Sequence, residues 1–152
     1  VSVLGRALAV AAPAGLLIWA LARLGLLAPA AGALDPVGRA LGLDGVILLG
    51  FLLGLPANET VIPVILMCLM QRGVLEGYAS LAELGTVLTA AGWTEKTALC
   101  FLVFTMFHWP CSTALLTLKK ESGAWRWAAL GAALPTICGA LLCAAINLLW
   151  PS

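Results

Sequence analysis

The stretch Gly54-Leu55-Pro56-Ala57-Asn58-Glu59-Thr60 limits the possible folds more than any other. On each side of it lies an apolar run of 11 residues, 45–55 and 60–70. Eleven helical residues rise about 16 Å, roughly half of a ~30 Å hydrocarbon core. Together the runs match one membrane span, with their only polar patch in the middle. A carboxylate at the centre of a spanning helix costs about 2.5–3.5 kcal/mol on insertion scales, so Glu59 is a functional candidate by position alone. Pro56 and Pro63 have no N–H to donate, which leaves the carbonyls of Leu52 and Glu59 without their helical partners. In lipid, such carbonyls must turn to protein, water or an ion. Two half-helices meeting at a polar break near the midplane point to a transport site. A re-entrant hairpin is the alternative form for such a segment.

Of the 152 residues, 62% are hydrophobic and 10% charged, with a mean hydropathy of +1.08. Soluble domains are nearer 45–50% apolar and about 25% charged, so the chain reads as an integral membrane protein. A net charge of +1 gives no reason to expect nucleic acid. The chain begins at Val1 rather than Met and is expected to be a piece of a longer one. Its first apolar run is too long for a signal-peptide core. Cys68, Cys100, Cys111, Cys138 and Cys143 form no CxxC pair, so neither a disulfide framework nor a closed zinc site is expected.

The pattern predicts an all-α, polytopic fold of about four spans, two of them broken near the midplane. Residues 3–27 form the first, with Arg6 and Arg23 near its ends and a kink at Pro13. Residues 34–44 read as a short interfacial helix, with Asp35 as its cap and Pro36 at its first position. Residues 45–70 are the broken span, ended at water by Gln71-Arg72-Gly73. Residues 74–92 read as an interfacial amphipathic helix closed by Gly92, followed by a Thr94 cap with Glu95 in the next first turn. Residues 97–118 are a second apolar run interrupted by His108-Trp109-Pro110-Cys111-Ser112-Thr113, where Pro110 frees the carbonyl of Met106. Its second half looks short, which places the break off-centre or requires Lys119 to snorkel. Residues 124–150 are the last span, with Trp125, Trp127 and Trp150 at its ends and a kink at Pro135. Four crossings put Arg23, Arg39, Lys119, Lys120 and Arg126 on one side, five basic residues against three, and that side in the cytoplasm.

Asn58 and Glu59 offer an amide oxygen and a hard carboxylate beside freed carbonyls, a set suited to a partly dehydrated cation. The structural alternative has Asn58 capping the second half-helix and Glu59 near its positive end. His108 and Cys111 lie three apart across a proline, and imidazole with thiol favours a first-row transition metal. Alternatively, the His108 ring bonds a carbonyl and orients the break. Ser112 and Thr113 are candidates to cap the second half or to supply hydroxyl oxygens. No phosphate-cradling loop and no nucleophilic triad occurs, so no bond-making active site is expected.

The segments AAPAGLLIW (11–19), LDPVGRALGLDGVILLGFLLGLPANETVIPVILM (34–67) and FHWPCSTALLTLKKESGAWRW (107–127) resemble the ferrous iron transporter B family, FeoB. The likeness covers most of the chain and is to the C-terminal part of the membrane domain, with its second Gate repeat. The family commonly has isoleucine where this chain has Thr60, and often threonine where it has Ala114. The resemblance implies an Fe²⁺ transporter of the bacterial inner membrane. On this reading Asn58, Glu59 and Cys111 lie on or near the ion route, and His108 is the weakest of the metal-contact candidates. Partners implied are Fe²⁺, the lipid bilayer, the rest of the same chain (first Gate repeat and GTPase domain) and a possible homo-oligomer. No permanently bound cofactor is implied, since GTP and Mg²⁺ belong to the absent domain. The rival readings are a Gate-type transporter of nucleosides or another divalent metal, and a membrane anchor or assembly scaffold.

Overall fold

The computed structural model describes residues 3–70 and 80–150. The described residues are helices and turns throughout, and the protein is an all-α polytopic membrane protein. Helix α1, Val3–Arg23, runs through Pro13 and stops at Gly25. Gly25 takes a φ of +67°, Leu26 N–H reaches back to the Leu21 carbonyl, and Gly25 N–H to that of Ala22. This is a glycine-closed C-terminus, because a side chain at that φ is strained. Beyond it, α2, Leu27–Ala40, sets off at 100° to α1.

The expected cap at Asp35 is not what the residue does. Helix α2 passes straight through Asp35 and Pro36 and begins eight residues earlier. The Asp35 carboxylate instead accepts from the backbone N–H of Gly45 in the next helix, at 3.2 Å, and pairs with Arg39 one turn on at 2.6 Å. A second left-handed glycine, Gly42, ends α2, and Asp44 opens α3, Gly45–Leu53, by accepting the Ile47 N–H at 2.7 Å. Burial pushes the Asp44 carboxyl up, against the lowering pull of the Ile47 and Val46 N–H groups. α2 and α3 lie so close that a Cβ on Gly45 would overlap the Ala31 carbonyl oxygen. One on Gly38 would sit 2.6 Å from the Asp44 carbonyl carbon.

Residues 45–70 do not run straight through. After α3 the chain turns at residues 54–57, makes a 3-10 turn at Asn58–Thr60 and returns as α4, Val61–Met70. Gly50 lies against Ile65 and Val61, Gly54 against Val61, and Gly45 and Val46 line one cleft with Cys68 and Leu69. Those pairings run antiparallel, so the segment is a re-entrant hairpin with arms of about 14 Å at 1.5 Å per residue. Each arm reaches only about half of a ~30 Å core. Lipid tails are as apolar as leucine, so close backbone approach and side-chain packing hold such arms together. Pro63 falls in the first turn of α4, where a missing N–H costs little, and so marks a helix start rather than a break. The core is Phe51, Ile47 and Ile65 with Cys100, Phe104 and Cys143. A second cluster, Leu49, Val64 and Met67, packs on Ile18, Leu27 and Ala31.

Helix α5, Leu81–Ala90, is capped by Ser80 and closed at Gly92, and α6, Glu95–Phe107, is capped by Thr94. The expected termination at residues 71–73 and the start of the amphipathic segment lie outside the described residues. Helix α7, Ser112–Ser122, follows the break and continues the line of α6. It extends past Lys119, whose ammonium sits 4.4 Å from the Trp125 ring centre, so the halves are nearly equal, 13 and 11 residues. Helix α8, Trp125–Leu149, runs back along both: Gly131 meets Leu118, Gly139 meets Phe107, and Cys143 meets Cys100. Among the described residues, 95–122 and α8 are long and apolar enough to cross a membrane, and α1 with α2 forms a bent third. The Asn147 amide near the end of α8 donates to the carbonyls of Arg39 and Ala40. The end of α2 and the end of α8 therefore share one face of the bundle. Arg39 stands on it, while Lys119, Lys120 and Arg126 stand at the other end of α8. The expected five-to-three grouping of basic residues is overturned by the hairpin, which returns the chain to the side it left.

Candidate functional site

The tip of the hairpin docks on the break between α6 and α7. The Leu55 carbonyl accepts from the Ser112 N–H at 2.8 Å and from the Ser112 hydroxyl at 3.1 Å. Beside this joint the Phe51 ring lies 4.9 Å from the His108 ring, centre to centre. The two polar breaks, separated by some fifty residues, thus meet at one locus. Proline chemistry explains why Leu55 is available. Pro56 holds the turn, and the 3-10 turn that follows spends its donors locally, with the Thr60 N–H and hydroxyl both on the Ala57 carbonyl at 3.0 and 2.8 Å. The carbonyl expected to be free, Leu52, instead receives the Leu55 N–H at 3.3 Å. The acceptor the break exposes is the Leu55 carbonyl, three residues further on.

Of the candidate residues, Asn58 caps nothing: its side-chain oxygen is buried without a partner. Glu59 points to the exposed side of the tip, and Cys111 is half-buried at the N-cap position of α7. His108 ends α6, with its Nδ1 2.8 Å from the Thr105 carbonyl oxygen. A carbonyl only accepts, so Nδ1 carries a proton there, and in the neutral ring Nε2 presents a lone pair. That Nε2 is buried and unpartnered too. Asn58 Oδ1 and His108 Nε2 are therefore two buried acceptors awaiting a donor or a cation, each costing about 1–3 kcal/mol while unmatched. The indole N–H groups of Trp93 and Trp109 are likewise buried and unmatched, around an aromatic shelf made by Phe51, Phe101 and Phe104. Among the described residues no three His, Cys, Asp or Glu side chains gather into a metal-holding group. What the chain brings together is the two breaks, each with part of a ligand set.

Cys111 opens on a groove of about 540 Å³ along α7, walled mostly by apolar surface and bounded by Thr113, Ala114, Thr117, Leu118 and Glu121. Ser112 was legible in the sequence as a hydroxyl at a helix start. Its role as donor to Leu55 was not, because only the fold brings residues 57 positions apart together.

A helical membrane bundle with a re-entrant hairpin seated on a broken span, and unmatched polar atoms at the joint, is a transport module. The family model named Gate, described as nucleoside recognition, matches residues 4–125, well over half of the chain. The protein belongs to the Gate family, which is found in FeoB permeases and nucleoside transporters. No curated protein and no solved structure matches the chain.

Proposed function

We propose that the chain is the C-terminal part of an Fe²⁺ permease of the FeoB kind, contributing one side of the ion route. The observation that carries this is the Leu55–Ser112 joint, which sets Asn58 and Glu59 on one side of a contact and His108 and Cys111 on the other. Carboxylate, amide oxygen, imidazole and thiol make a mixed set suited to Fe²⁺. A route needs several weak contacts rather than a closed cage, since an ion held too tightly does not leave. The remaining contacts come from other parts of the full-length protein, a bacterial inner-membrane protein driven by GTP elsewhere in its chain. On this reading the chain acts as a conduit for the ion.

The unmatched indole N–H groups of Trp93 and Trp109 favour a second reading, since a cation cannot accept from them. A neutral polar solute with acceptor atoms and a flat face, such as a nucleoside, would suit both them and the aromatic shelf. Fe²⁺ uptake by the full-length protein, normalised to membrane abundance, separates the readings. Glu59→Gln and Cys111→Ser should each cut uptake at least tenfold, the loss of about 1.4 kcal/mol of contact with the moving ion. Fe²⁺ uptake that survives both changes would remove Glu59 and Cys111 from the ion route, and nucleoside uptake in the absence of any Fe²⁺ uptake would reject iron as the cargo.

A further inference from the structure

The contact between hairpin and broken span is unusual in its partners. Ser112 is the first residue of α7, so its N–H has no acceptor within its own helix. The Leu55 carbonyl sits in a turn with no helical donor of its own. Each is an orphan of its element, and the two satisfy each other through two hydrogen bonds onto one oxygen. In water such a pair would exchange freely with solvent. Within the membrane, parting them leaves a carbonyl that something else must satisfy. The bonds are neutral, and among the described residues no ion pair spans the joint, so it is built to release. On its flanks lie the buried acceptors Asn58 Oδ1 and His108 Nε2, which stay unmatched while the joint is shut. Parting the tip from α7 admits water or solute to both.

We propose that the Ser112–Leu55 clamp is the closed position of the gate, and that the hairpin tip must leave Ser112 before solute passes between Asn58 and Cys111. Ser112 is then a positioning residue and not a ligand. This rests on the reading that the two breaks line a route, but not on the identity of what is carried.

The backbone offers an unusually clean test. Cys111 holds φ −60° and ψ 156°, the conformation a residue before proline prefers, and the first position of a helix accepts proline well. Ser112→Pro therefore removes both donors and keeps α7. Ser112→Ala removes only the hydroxyl, and Ser112→Thr keeps both. The readout is the rate at which a small charged methanethiosulfonate labels the native Cys111, followed by mass spectrometry of its peptide, in full-length protein in vesicles without transported solute. The expected result is labelling several-fold faster in Ser112→Pro, intermediate in Ser112→Ala, and unchanged in Ser112→Thr. An unchanged rate in Ser112→Pro at normal abundance overturns the proposal, as does a Ser112→Thr variant that labels as fast as Ser112→Pro. Should Ser112→Pro fail to reach the membrane, Ser112→Ala decides alone, and a wild-type rate there sinks the clamp. Labelling needs no iron. Fast labelling in Ser112→Pro beside an absence of Fe²⁺ uptake in the wild type would keep the gate and discard the cargo.

Discussion

At the scale of single residues, glycines and caps decide most of the geometry. Among the described glycines Gly45 has the tightest position, with its α-carbon facing the backbone of α2 at Ala31 and Asp35. Backbone atoms cannot turn aside as a side chain can, so Gly45→Ala must push α3 off α2. We expect a loss of at least the ~1–3 kcal/mol typical of overpacking, read as a lowered thermal midpoint in detergent. Gly15→Ala is the control, because no atom lies within 4 Å of its added methyl. An equal midpoint for the two variants would contradict the packing described. The caps at Thr94 and the stop at Gly92 were legible from residue type and spacing, because each is a local hydrogen-bond pattern. Gly25 was not. It lies inside an apolar run, and hydrophobicity alone gives no sign that the helix ends there. Asp35 misled for a related reason: Asp-Pro is a good helix start, yet tertiary packing gave the carboxylate a better use at the Gly45 N–H.

At the scale of elements, the hairpin is the main departure from what residues 45–70 led one to expect. Two eleven-residue apolar runs around a polar break fit a broken span and a hairpin equally well by length. What separates them is the spacing of Gly50 and Gly54, four apart and so on one helix face, a small-residue stripe that lets a partner helix come close. That signal was in the sequence and needed its partner, Val61 and Ile65, to acquire meaning. Gly50→Leu puts a branched side chain where a bare Cβ would already lie 2.6 Å from Ile65. The arms must splay, and the tip that reaches Ser112 moves with them. The expected outcome is Fe²⁺ uptake reduced as far as by Glu59→Gln, with Cys111 labelled faster than in the wild type. Normal uptake in Gly50→Leu at normal abundance would show that the arms need not pack so closely. The second break behaved differently. His108 to Cys111 interrupts a segment that α8 holds straight by packing along both halves, through Gly139 to Phe107 and Gly131 to Leu118, so there the reading of a broken span stands.

At the scale of the whole molecule, the hairpin changes which loops share a side. Arg39 follows α2 to the face where the Asn147 amide bonds its carbonyl. The cleft beside Asp44 and Gly45 also includes Leu69 and Ala91, so the mouth of the hairpin and the end of α5 lie at one level. Lys96, at the start of α6, is one turn from Cys100, whose thiol faces Cys143 one turn before Asn147. All of these lie at one end of the helix bundle. Lys119, Lys120 and Arg126 flank the α7–α8 turn at the far end. A straight span through residues 45–70 would instead have put Arg39 with Lys120 and Lys96 opposite them. Single cysteines at Arg39, Lys96 and Lys120, introduced into the full-length protein, distinguish the two arrangements in intact cells. A membrane-impermeant maleimide applied from outside should react with Arg39→Cys and Lys96→Cys alike, and oppositely with Lys120→Cys. Which pair reacts depends on orientation, but the pairing does not. Reaction of Arg39→Cys together with Lys120→Cys, while Lys96→Cys stays protected, would require the chain to cross between residues 45 and 70. It would remove the hairpin, and with it the joint on which the gate depends.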